Sequence, residues 1–194
     1  MNELTQRQEE IIHKATQIID ERGIQGLTLK NLSNELGVTE GAIYRHFKNK
    51  REILDSILEQ FKQNQRNFQE YTLQSNDSVD NIIFTFFSNF RKIFEKNPAI
   101  VSVIFAEEIF QNDSKLTRKV SEIIQNNEDF MFKVIKKGKK MGELREDLDE
   151  QMMVNSIFGP FRLMVKKWRM QGFKGNLKGS VSQLLEYLKA TIFV

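Results

Sequence analysis

Cysteine is absent from the 194-residue chain, which excludes disulfides, thiolate metal sites and a cysteine nucleophile. Histidine occurs only twice, as His13 and His46. His13 lies beside an apolar helical stripe with no second ligand in sight, so it is read as a structural or surface residue. G-x-S-x-G, a phosphate-binding glycine loop, H-E-x-x-H and C-x-x-C are all missing, and the glycines of 172–179 follow no strand. We expect no enzyme, no cofactor and no metal. No window reaches the roughly 18 apolar residues that suggest a membrane-spanning helix. The amino terminus, MNELTQRQEE, lacks the apolar core of a signal peptide. With no strand alternation and no internal repeat either, the expectation is an all-α, soluble, cytoplasmic protein with no membrane partner.

What the chain does carry is 40% hydrophobic against 28% charged residues, which rules out global disorder. The net charge of +3 fits a nucleic-acid partner without demanding one. Its distribution says more. Over residues 1–60 acids slightly outnumber bases, yet Arg45, Lys48, Lys50 and Arg51 crowd into 41–51 with no acid among them. A duplex needs only such a local basic surface.

That cluster closes the stretch 28–50, TLKNLSNELGVTEGAIYRHFKNK. Leu29, Leu32 and Leu36 recur at helical spacing, as do Val38, Ala42, Ile43 and Phe47. Gly37 lies between them, where a left-handed backbone can end the first helix. Thr28 and Thr39 stand where hydroxyls cap helix starts. Two short helices on a glycine turn make a helix-turn-helix, whose second helix fits the major groove. Ser33 is small where the helices cross, while Val38 and Ile43 can point into the wedge. Glu40, Gly41, Tyr44, Arg45 and His46 remain outward. An ordinary helical hairpin is the alternative reading.

Before this motif, TQRQEEIIHKATQIIDER (5–22) makes a first helix with Ile11, Ile12, Ala15, Ile18 and Ile19 inward, ended by Gly23. After it, Asn49 with Glu52 resembles a capping box opening a fourth helix, which turns polar beyond Phe61 and loosens near Asn76–Asp77. In VDNIIFTFFSNFRKIFEK the apolar residues cover most of the circumference, so this helix is expected to be surrounded by others. Asn97-Pro98 caps and starts the next helix, and Asp113-Ser114 starts a long one to about Met141. GELREDLD is a turn. A helix over 150–171, kinked at Gly159-Pro160, and a last helix from Leu177 complete the chain. In total about nine helices are expected.

The run from Arg7 to Leu54 resembles the DNA-binding domain of TetR/AcrR-type transcriptional regulators. The matching pieces are RQEEIIHKATQIIDERG and LTLKNLSNELGVTEGAIYRHFKNKREIL, and I-Y-R-H-F-K-N-K with a leucine four residues on is the specific part. The resemblance implies residues 1–49 as a helix-turn-helix domain and 50–194 as a helical effector-binding and dimerisation domain. It implies that Thr28 and Lys30 approach DNA, and that Thr39, Glu40 and Gly41 open the recognition helix. It further implies that Tyr44 and His46 reach the backbone, that Arg45 reads a guanine, and that Lys50 clamps a phosphate. Ser33 departs from the usual alanine, and Glu40 sits where it complements the helix dipole or reads a cytosine amine.

Within 78–141, Phe87, Phe90, Phe94, Phe105, Phe130 and Val134, with Glu107 and Asn127, are candidates to line an effector pocket; a plain core is the bland reading. Sixteen Phe against three Tyr and one Trp would make that lining apolar, suited to a lipophilic, flat or long-chained effector. On the last two helices, Ile157, Phe161, Met164, Trp168, Leu184, Leu188 and Ile192 are candidates for a homodimer interface forming a four-helix bundle. A dimer would hold two recognition helices about 34–36 Å apart on a palindromic double-stranded operator. The function expected is a ligand-responsive DNA-binding repressor. A constitutive dimeric DNA-binding protein without an effector is the alternative, and a hydrophobe carrier a remoter one.

Overall fold

The computed structural model describes residues 4–106 and 113–194. Among these residues there are nine helices and no strand: α1 Gln6–Gly26, α2 Leu29–Leu36, α3 Glu40–Tyr44, α4 Lys50–Gln74, α5 Val79–Lys96, α6 Pro98–Ile104, α7 Ser114–Lys140, α8 Glu150–Met170 and α9 Leu177–Ile192. None of them is long and apolar enough to cross a membrane. The chain forms two compact units, Met1–Gln63 with Asn97–Ser121, and Asn64–Lys96 with Glu122–Val194. The first unit therefore takes in the start of α4, all of α6 and the start of α7, beyond the boundary at residue 49 that the resemblance implies.

In the first unit α1 packs on α2 and on α6. Ile11, Ala15, Ile18 and Ile19 turn inward with Leu27, Leu32, Ile43, Phe47 and the α4 stripe Ile53, Ile57, Leu58. Gly23, at φ 69°, breaks α1, and one further turn reaches Gly26. Asn97 does not cap α6 as expected, since its side chain makes no capping bond. The carboxylate of Asp20 on α1 accepts the Ala99 amide there instead. Burial holds that carboxyl above its ordinary range, against this hydrogen bond, with the neighbouring Glu21 adding to the rise. Further along, Lys119 of α7 reaches Asp55 at 3.0 Å and Glu59 at 2.7 Å on α4.

In the second unit α9 packs on both α5 and α8. α5 is one-sided, contrary to the expectation of a surrounded helix. Ile82, Ile83, Phe86, Phe87, Phe90 and Phe94 are buried, while Phe84 is 53% exposed. Glu143, in the turn after α7, accepts the Val79 amide at 2.7 Å and so caps α5. A single antiparallel bridge, Leu144 with Phe193, ties that turn to the end of α9. Asp149 caps α8 through the Met152 amide, and the helix continues through Pro160. Trp168, near its end, meets Phe173 edge-on with ring centroids 5.0 Å apart.

Candidate nucleic-acid interface and effector core

The helix-turn-helix is built from local capping. Thr28 Oγ1 accepts from the Asn31 amide at 3.1 Å and opens α2. Gly37 closes it in the left-handed region (φ 65°, ψ 33°), its amide donating to Asn34 and Ser33 carbonyls. Ser33 is buried, and its hydroxyl turns back to the Lys30 carbonyl, so the close crossing costs no unpaired polar group. Thr39 Oγ1 accepts the Ala42 amide and opens α3. α3 spans only five residues, Glu40–Tyr44. Arg45 and His46 therefore stand in the turn that follows it, rather than on the helix. Ile43 and Phe47 are buried and fix the inner face; Val38 is only half-buried.

That arrangement leaves a bare outer surface. Thr28, Lys30, Thr39, Glu40, Gly41 and Arg45 are exposed, Tyr44 is 52% exposed, and His46 and Lys50 are half-buried. Lys50 is held differently from a free clamp, because its ammonium donates to the Ile24 carbonyl, and burial lowers its pKa from the ordinary lysine range. Its other two N–H bonds remain to be used. Asn49 Oδ1 accepts the Glu52 amide at 3.1 Å, while Glu52 returns to the Lys48 amide rather than to that of Asn49. Two residues that the sequence did not single out also brace the motif. Arg22 pairs with Glu35 at 2.6 Å, and Asn31 Nδ2 donates to the Gly26 carbonyl at 2.8 Å.

The residues singled out for an effector pocket fall in different places. Phe87, Phe90, Phe94, Asn127, Phe130 and Val134 are buried in the second unit. Phe105 belongs to the first unit, where it ends α6, and Glu107 lies outside the described residues. In the second unit the rings pack on one another. Phe86 stacks on Phe130 at 5.1 Å, Phe87 lies 4.6 Å from Phe161, and Phe90 meets Phe94 at 5.5 Å. Beside Phe130 opens a cleft of about 240 Å³ lined also by Arg66, Gln69, Glu70, Leu73, Asn126, Asp129 and Lys133. In the polar half of α4 three side chains not singled out from the sequence, Gln65, Gln69 and Thr72, are buried. Their spacing of four and three residues, continuing the apolar stripe, was the available signal.

The side chains expected at a twofold interface are largely covered within one chain. Ile157, Phe161, Trp168, Leu184, Leu188 and Ile192 are buried within one chain and Met164 is half-buried. They close the core of the second unit, because α9 lies against α5 as well as α8. The outer faces of α8 and α9 instead expose Met152, Leu163, Met170 and Tyr187.

This combination of capped helix-turn-helix and helical body is that of a DNA-binding transcription regulator, and comparison with known proteins agrees. Residues 11–57 match the model of the bacterial regulatory proteins of the tetR family, and residues 47–191 that of the YsiA-like protein C-terminal region. The second match covers more than half of the chain, and the chain belongs to the TetR family of transcriptional regulators. It is 27% identical over 185 residues to the fatty acid metabolism regulator protein of Bacillus subtilis strain 168, 94% of each chain being covered. Among the solved structures that share its fold are two named FadR. FadR, the fatty acid degradation regulator from Bacillus halodurans, has a TM-score of 0.85 at 21% identity over 98% of each chain. FadR from Bacillus subtilis in complex with stearoyl-CoA has a TM-score of 0.78 at 24% identity, over 93% of this chain and 96% of that one. These relatives are regulators of transcription, not enzymes.

Proposed function

We propose that the protein is a dimeric repressor that binds a palindromic operator and is released from it by a lipophilic small molecule of the long-chain acyl class. The observation that carries the DNA reading is the exposed set Thr28, Lys30, Thr39, Glu40, Gly41, Tyr44 and Arg45 on a motif held from within by the buried Leu32, Ile43 and Phe47. Arg45 would read a guanine through its two-pronged guanidinium, and Lys50 would hold a phosphate with the N–H bonds that Ile24 leaves over. The acyl class is supported by the likeness to the Bacillus subtilis fatty acid metabolism regulator and to the stearoyl-CoA complex, and by the phenylalanine core. The ligand needs only a different affinity for the DNA-competent and DNA-incompetent forms, and operator and ligand must then weaken each other equally.

One observation favours the constitutive reading: the rings of the second unit already fill the space between them. A single assay separates the two. Electrophoretic mobility of DNA from upstream of the protein's own coding region is followed at two salt concentrations, with and without a long-chain acyl thioester. Salt-sensitive binding that the thioester releases is expected. Binding that no acyl compound touches would leave the constitutive protein, and no binding at either salt concentration would overturn both.

A further inference from the structure

The corner where α8 gives way to α9 encloses a donor with no acceptor among the described residues. Trp168 is 7% exposed, and its indole Nε1 is shut away from solvent without a hydrogen-bond partner. Buried N–H groups normally find acceptors, so this one holds bonding capacity that the chain itself leaves unused. The ring is fixed, since Phe173 packs edge-on against it and the Phe173 amide donates to the Trp168 carbonyl at 3.0 Å. Its pyrrole edge faces Gly175, where an added Cβ would lie 3.9 Å from Cδ1, the atom bonded to Nε1.

Trp168 and Gly175 are both walls of a cleft of about 260 Å³, which shares no residue with the cleft beside Phe130. Met164 and Leu177 make part of its lining apolar. Lys167, on the same wall, is exposed, and its ammonium has no ion pair or hydrogen bond among the described residues. The cleft also takes in the start of α9. There Asn176 Oδ1 accepts the Gly179 amide at 2.8 Å. The Leu177 and Lys178 amides of the first turn stay unpaired among the described residues, at the positive end of the helix dipole. Indole N–H, ammonium and amides can only donate. The surroundings add to the bias, for residues 151–185 contain six lysines and arginines and no acid.

Donors with one cation beside an apolar lining select a small organic monoanion. At about 260 Å³ the cleft is smaller than the roughly 300–1,000 Å³ of drug-sized ligand sites, so it has no room for a long chain. Methionine and indole suit a flat ring, whereas inorganic phosphate would leave the apolar part unfilled. We propose that this corner is a second ligand site, taking a single-ring aromatic carboxylate. The carboxylate accepts from Trp168 Nε1 and the Leu177 amide, with Lys167 as countercharge, and the ring lies against Met164 and Leu177. Gln171, exposed with its Oε1 beside Gly175, swings aside to admit it. The site does not depend on the acyl-effector reading.

Titration calorimetry on the full chain tests this with benzoate, against benzyl alcohol and inorganic phosphate. Benzoate should bind one per chain and at least tenfold tighter than the alcohol, and phosphate should not displace it. Lys167→Gln, at an exposed position, and Trp168→Phe, which keeps a ring and removes the N–H, should each weaken benzoate about tenfold. Lys133→Gln, at the other cleft, should leave it unchanged. Benzoate should also move the indole N–H proton resonance of the native chain downfield, which a merely structural tryptophan would not show. Benzoate that binds no better than benzyl alcohol, or not at all, would overturn the site. Displacement by phosphate would overturn the ligand class. Undiminished binding by Lys167→Gln and Trp168→Phe would put the acid elsewhere and overturn the assignment of this corner.

Discussion

A Cβ placed on Gly41 would meet nothing nearer than Thr39 Oγ1 at 3.8 Å, so the fold itself does not require glycine there. Its bareness serves whatever approaches α3. Gly41→Ala should leave stability unchanged or raise it by up to about 1 kcal/mol through helix propensity, while operator affinity falls about tenfold. Thermal melts beside mobility shifts check this, and a variant that binds as tightly as the native chain would remove Gly41 from the interface. Gly138 is the opposite case. A Cβ there would come within 2.7 Å of Leu144 Cγ and 3.0 Å of Val79 Cγ2, both residues fully buried. Overpacking costs typically about 1–3 kcal/mol, against about 1 kcal/mol gained from propensity. Gly138→Ala should therefore lower stability by about 1 kcal/mol in denaturant titration. Only one of these two glycines attracted notice in the sequence, since the closeness of Val79 and Leu144 to Gly138 is a tertiary fact.

Among elements, those stabilised from within a few residues were legible. Thr28, Gly37 and Thr39 do what their positions suggest, because a cap and its amides are three residues apart. Elements stabilised from afar were not: α6 is capped by Asp20 of α1, and no spacing rule links the two. α5 looked apolar all round, yet Phe84 is exposed, since a hydrophobic residue is free to stay on the surface. The cluster of α4 and α7 is another distant contact. Burial, the largest influence on Lys119, pushes its pKa down, but hydrogen bonds and charge from Glu59 and Asp55 outweigh it and hold the ammonium above its usual range. A raised lysine contributes stability that is complete below its unfolded value, about 10.4, and is lost as pH rises through the folded one. Lys119→Met leaves two carboxylates facing each other. It should lower stability by about 1–2 kcal/mol at pH 7, a deficit that closes in strong alkali, measured by melts across pH.

At the scale of the whole molecule, the proposed dimer turns on the outer faces of α8 and α9. The apolar spacing of α8 and α9 suggests an interface, but periodicity marks a buried face without saying what buries it. Most of those side chains are buried within one chain, while Leu163, Met170 and Tyr187 of the same two helices are exposed, and the proposed dimer puts these to the test. Leu163→Glu with Tyr187→Glu should turn a dimer into a monomer in sedimentation equilibrium with helical content unchanged, and lower operator affinity at least a hundredfold. A double variant that sediments as the native protein does would place the dimer contact elsewhere. The overall class, all-helical with a helix-turn-helix at the front, was legible because it rests on patterns repeated over many turns.

Trp168 is the chain's single tryptophan. Its indole N–H is enclosed without a partner, against the edge of Phe173. Intrinsic emission is therefore a one-site signal, blue-shifted while the corner between α8 and α9 is intact. The helix-turn-helix contributes only Tyr44. Selective excitation of the indole thus follows the carboxy-terminal helices alone, and a melt recorded this way beside far-ultraviolet dichroism would tell whether the two units come apart in one transition or two.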